Sequence, residues 1–232
     1  MALILLIETS TANCSAALAR DGEVIIEKSS DAGYVHAEKL AVFIQDCLKE
    51  ASITSDQLNA IAVSNGPGSY TGLRVGLSTA KGLAYGLGIP LLVLPTLEVM
   101  IAATQAAHPD GLAYLSAIDA RRKEVYLQMS RQGEYRGPEP VVLDTTDWET
   151  WISSADGPVW VSGDGAEKVL DHWLIPHLQD SGIRCLASQM ARMAEAKFSR
   201  SDWADLAYVE PAYLKPPGVT VPKSVFPGDV SG

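Results

Sequence analysis

The segment SNGPGSYTGLRVGLSTAKGLAYGLGIP, residues 64–90, joins two short apolar strands through a glycine-rich loop and a proline-free helix. The strand before it reads AIAVS (60–64) and the strand after it PLLVL (90–94). A strand, crossover helix and second buried strand in this order ask for a parallel sheet with helices on its faces. The loop offers unpaired N–H groups and the positive end of a helix dipole, which suit an anion. It is a weak phosphate cradle all the same: no Lys-Ser/Thr pair follows the glycines, and the pattern is not G-x-G-x-x-G. Inside the helix, Gly72, Gly76, Ala80 and Ala84 stand four apart on one face, beside Leu73 and Leu77. Each interior glycine costs about 1 kcal/mol of helix stability relative to alanine, so close packing must offset it. The neighbour is either the chain's own core or a helix of a second subunit.

Working outward, residues 2–8 (ALILLIE) read as a buried strand, and residues 14–20 and 23–29 flank the hairpin dipeptide Asp21-Gly22. In HAEKLAVFIQDCLKEAS, Leu40, Phe43, Ile44, Cys47, Leu48 and Ala51 recur at helical spacing. That is more apolar surface than one core-facing stripe needs, so this helix and the one after the loop are expected to form a partner surface. Beyond a helix at 96–107 a looser version of the order begins. Strands are expected at 112–118, 124–130 and 158–162, with helices at 145–153, 167–174 and 187–199. Two successive units of this kind predict a duplicated α/β fold. From Lys215 onward, Pro216, Pro217, Pro222 and Pro227 predict an extended or disordered arm.

Composition narrows the function. The 232 residues carry a formal charge of −10, with Arg121-Arg122-Lys123 the only run of three bases, so independent nucleic-acid binding is not expected. Cys14, Cys47 and Cys185 form no C-x-x-C pair, which fits a reducing cytosol. The apolar run from Leu3 to Ile7 is too short to span a membrane and lacks the features of a signal peptide. A cytoplasmic protein is expected.

Few residues offer chemistry. Glu8, Thr9 and Ser10 leave the first strand and either touch a phosphate or a metal-bound water, or satisfy backbone groups at the rim. Asp119 begins the turn DARRKEVY and is either a second phosphate-loop carboxylate or part of a solvated hairpin tip. His36 and His108 stand alone, and Pro176 separates His172 from His177, so no H-E-x-x-H metal pair is formed.

Taken together, IETSTANCSAAL, SNGPGSYTGLRVGLSTAKGLAYGLGIP, IDARRKEVY and EPAYLK resemble the TsaB (YeaZ) family, in order along residues 3–215. The resemblance implies the duplicated actin-like ATPase fold (ASKHA, ribonuclease H-like), with lobes at 1–108 and 109–214, the second reduced, and a tail at 215–232. It also implies a non-catalytic partner of TsaD, working with TsaE in threonylcarbamoyl transfer to adenosine 37 of ANN-decoding tRNAs. TsaD places a metal-binding N-H-x-E-x-H after G-I-P. Here Thr96 and Met100 stand at the two histidine positions and only Glu98 remains, and neither replacement suits a hard iron- or zinc-type ion. The C-T-D-N aspartate of TsaD has no counterpart in Cys185-Leu186-Ala187-Ser188-Gln189, and its G-G-V-A-A-N segment has a faint echo in residues 162–166. The resemblance therefore implies no cofactor or metal of its own. A nucleotide shared at the partner interface, touched by Glu8, Thr9, Ser10 or Arg74, stays open. The expected interface residues are Leu40, Phe43, Ile44, Cys47, Gly72, Leu73, Gly76, Leu77, Ala80 and Ala84. A homodimer is a further possibility, and the competing activity is that of an M22-type peptidase or an actin-like-fold kinase.

Overall fold

Strand β1 (Leu3–Glu8) is buried along its whole length, because it sits at the centre of a sheet covered on both faces. It pairs antiparallel with β2 (Cys14–Arg20), which continues antiparallel into β3 (Glu23–Ser30). Asp21 and Gly22 make that hairpin turn with φ of 53° and 79°, the positive angles of a type I′ turn. On its other side β1 runs parallel to β4 (Ala60–Ser64), and β4 parallel to β5 (Leu91–Leu94). The sheet order is β3-β2-β1-β4-β5. These features belong to a computed structural model, which describes residues 2–31, 36–152 and 156–215.

The second sheet repeats the first. Strands β6 (Ala113–Asp119), β7 (Glu124–Arg131) and β8 (Glu134–Val142) form the meander; β9 (Val159–Ser162) and β10 (Leu178–Asp180) add in parallel. Read from β8, the order is β8-β7-β6-β9-β10, the same succession as in the first sheet. The duplicated, two-lobed actin-like architecture is thus present.

Side-chain alternation along β1 sorts its two faces. Leu3, Leu5 and Ile7 meet helices α1 (His36–Glu50) and α2 (Tyr70–Leu87), while Ile4 and Leu6 point the other way. There they meet Met190, Ala191 and Ala194, from a 3-10 turn at Ala187–Met190 and helix α5 (Ala191–Ser199). Residues 187–199, expected in the second lobe, therefore return to the first sheet. In exchange, α3 (Thr96–Ala107), which follows β5, packs against β6, β7 and β9 of the second sheet.

The second lobe is thinly clad. Between β9 and β10 stands only α4 (Ala166–His172), and the helix expected at 145–153 is a 3-10 turn at Trp148–Thr150. The core there is closed by Trp151, Ile152 and Trp173 instead. Apart from Lys215, the proline-rich arm lies outside the described residues. Among those described, no helix is long and apolar enough to cross a membrane.

Candidate functional site

The tip of β1 is buried under the glycine-rich loop. Glu8, Thr9 and Ser10 are each at most 1% exposed. The Ser10 N–H donates to Glu8 Oε1 at 2.6 Å, and Thr9 Oγ1 donates to the Gly72 carbonyl at 2.8 Å. The Ser69 N–H donates to the Ser10 carbonyl at 2.6 Å. A Cβ on Gly68, Gly72 or Gly76 would lie 2.3, 2.0 or 2.1 Å from Ser10 O, Thr9 O and Thr9 Oγ1 respectively. The glycines thus admit the strand tip, and the loop's concavity is filled by the chain itself. Burial pushes the Glu8 carboxyl up from the ordinary glutamate range, against lowering contacts from Ser10, Ser64 and Thr9.

This geometry corrects the expected partner surface. Gly72, Leu73, Gly76, Leu77, Ala80 and Ala84 are all buried, and so are Leu40, Ile44 and Cys47. Leu40, Ile44, Cys47, Leu77, Ala80 and Ala84 share a core cluster with β1 and β4, and Phe43 packs half-buried against it. The small stripe exists because α2 must lie close to its own sheet. The outward side of α2 carries Tyr70, Thr71, Arg74, Ser78, Gly82, Tyr85 and Gly86. A Cβ on Gly82 or Gly86 would meet nothing within 4 Å.

On α3, the positions expected to have lost metal ligands are occupied by packing. The Thr96 hydroxyl accepts from the Gly66 N–H at 3.2 Å. Met100 is fully buried, with its sulfur 3.1 Å from Cys185 Sγ, in a cluster with Leu97 and Ile118 and with Tyr126 against it. A thioether held among apolar side chains and a hydroxyl already in use do not fit a hard metal ion. Among the described residues no three His, Cys, Asp or Glu side chains gather as a metal site requires. Burial, followed by the Glu8 and Asp164 carboxylates, pushes the Cys185 thiol well up, so it stays protonated.

The second lobe's strand tips are wetter. Asp119 accepts from Lys168 Nζ at 2.5 Å and from the Arg121 N–H at 2.6 Å, and its own N–H donates to Asp164 at 3.0 Å. Arg121 and Arg122 take positive φ of 69° and 51° at the hairpin tip. Partial withdrawal from water, and then the neighbouring Asp119 carboxylate, push Asp164 up to about 6. Sequence reasoning had passed over Lys168, which neutralises Asp119 from forty-nine residues away.

Arg74 is not gathered with Glu8, Thr9 and Ser10. It lies on the outer side of α2, its guanidinium carbon 4.1 Å from the Tyr70 ring centre and its Nε donating to Tyr213 Oη at 3.0 Å. The histidines are scattered. His108 stacks on Trp160 at 3.7 Å, and His172 meets Asp144 at 3.2 Å.

Comparison with known proteins gives a consistent result. The family model described as "TsaD: tRNA N6-adenosine threonylcarbamoyltransferase" matches residues 23–144. The tRNA threonylcarbamoyladenosine biosynthesis protein TsaB of Escherichia coli K12 is 37% identical, over 91% of this chain and 94% of that protein. Its namesake from Bacillus subtilis 168 is 35% identical over 69% and 70%. Among solved structures, YeaZ from Pseudomonas aeruginosa superposes with a TM-score of 0.74 at 27% identity, covering 92% of this chain and all of that one.

Proposed function

The chain belongs to the TsaB family of tRNA threonylcarbamoyladenosine biosynthesis proteins, and we propose that it acts there as a non-catalytic subunit. It binds and supports TsaD, with TsaE, in threonylcarbamoyl transfer to adenosine 37 of ANN-decoding tRNAs, in the cytoplasm. The observation that carries this reading is Met100. Its thioether is sealed against Cys185 where a catalytic relative would need a ligand, and the loop that would cradle phosphate is filled by Thr9 and Ser10. A subunit with both features closed contributes surface rather than chemistry.

That surface is the outward side of α1 and α2. Val42 on α1, and Tyr70, Gly82 and Tyr85 on α2, face solvent. The open glycines permit a partner helix to approach closely. Two measurements test the reading. Metal analysis after exhaustive dialysis, with a phosphate-release assay, is expected to find no bound iron or zinc and no ATP turnover above the blank. Stoichiometric metal or turnover would overturn the silent role. Gly82→Trp is expected to abolish co-purification with tagged TsaD while moving the melting temperature little, since an open surface position tolerates bulk. Normal retention would place the interface elsewhere.

A further inference from the structure

After α5 the described chain forms no further helix or ladder, yet it is tied down at intervals. The Ala204 N–H donates to the Leu91 carbonyl at 2.8 Å, and Leu206 and Val209 pack half-buried against the first-lobe core. Lys81 Nζ donates to the Val209 carbonyl at 3.2 Å. Beyond Val209 the anchoring changes character: among the described residues, no later side chain joins a core cluster.

Instead, the segment crosses the glycine-rich loop. The Ala212 N–H donates to the Asn65 carbonyl at 2.7 Å. Gly66 has φ of +117°, and a Cβ there would lie 2.7 Å from the Ala212 carbonyl oxygen, so a side chain at Gly66 would push the segment off. Tyr213 lies with its ring centre 4.9 Å from that of Tyr70 and accepts from Arg74. Two residues on, Lys215 pairs with Glu124 at the start of β7, in the other lobe. Each partner of that ion pair is about one-third exposed, at 32% and 31%.

We infer that residues 210–215 form a releasable strap, which covers the Asn65–Gly66 backbone and fastens the first lobe to the second through Lys215. Its holding contacts are a backbone hydrogen bond, the contacts of Tyr213 with Arg74 and Tyr70, and an ion pair about one-third exposed. None belongs to the cooperative core, so the strap opens at a small fraction of the cost of global unfolding. The released form uncovers the Asn65 carbonyl and gives up the Lys215–Glu124 tie between the lobes.

Hydrogen exchange on the full chain, read by mass spectrometry, tests it. Tyr213→Ala is expected to speed exchange in peptides spanning 210–215, where the Ala212 N–H donates to Asn65, by about tenfold or more, while β1 and β6 keep wild-type protection. Lys215→Glu and Glu124→Lys, taken singly, are each expected to speed exchange of 210–215 by about two- to fivefold, the range of a partly exposed ion pair. The double charge swap is expected to restore it. Unchanged exchange at 210–215 in Tyr213→Ala would overturn the releasable strap. Uniform acceleration across all peptides would make the segment ordinary packing, and failure of the charge swap to restore protection would remove the fastening to the second lobe.

Discussion

The two lobes share one strand order and differ in how their strand tips meet the following helix. In the first, the tip of β1 is driven into α2, with Thr9 against Gly72 and Gly76, and water is excluded. In the second, Gly163 and Gly165 press on Ala117, but the helix that follows has seven residues where α2 has eighteen. The carboxylates of Asp119 and Asp164 stay at the surface there. A common sheet order therefore fixes where the tips converge and leaves open whether the junction is dry or wet. Packing errors should be felt in the first lobe, and pH in the second.

The sharpest break is Gly76→Leu. Its Cβ would start 2.1 Å from Thr9 Oγ1, at a junction that cannot relax without moving β1 or α2. Overpacking of this kind is expected to cost about 3 kcal/mol or more, or to prevent folding, read from urea denaturation. A loss under about 1 kcal/mol would mean that the first junction is not closed.

Much of this architecture was legible in the residues. The meander at 2–29 follows from its apolar runs and Asp21-Gly22, and the crossover at 60–94 from strand-loop-helix patterning. What escaped notice has physical reasons. Strand β8 carries Gly137, Pro138 and Pro140, which fit only an edge strand with an irregular register, and β10 is three residues long. The period-four stripe on α2 was visible, but its partner was not. Periodicity says that a face is close-packed and is silent on whether the neighbour belongs to the same chain. Arg74–Tyr213 and Lys168–Asp119 span 139 and 49 residues, and no local pattern encodes such pairings.

A middling effect is expected between the lobes. Met100→Ala would empty a site that is fully buried against Leu97, Ile118 and Cys185, and should cost about 2–5 kcal/mol. Met100→Leu, which conserves volume, should stay below about 1.5 kcal/mol. Equal costs for the two would show that the sulfur contact with Cys185, rather than filling the space, is what matters there.

The smallest effect belongs to the wet junction. Asp164 titrates near 6 in the folded chain and in the ordinary aspartate range, near 4, when unfolded. Between these values the folded state holds the extra proton, so this group's contribution to stability is full below about pH 4 and is lost as pH rises to about 6. Asp164→Asn should flatten that fall and gain a few tenths of a kcal/mol at pH 7, since solvent at this exposed turn screens most of the penalty. Stability curves from pH 3.5 to 7 would decide it, and a slope unchanged in the variant would assign the titration to Glu8 instead.

The exchange of helices between the sheets has a consequence for biosynthesis. The Ile4 and Leu6 side of the first sheet is sheathed by Met190, Ala191 and Ala194, which leave the ribosome after the other helices and strands described. A nascent chain that has emerged only as far as α3 therefore lacks most of the cover on that side, where α3 supplies only Val99, and α3 itself has no second sheet to rest on. Neither half is a self-sufficient folding unit. The first sheet gains its second cover only when α5 arrives, so closure of the two lobes is coupled rather than sequential.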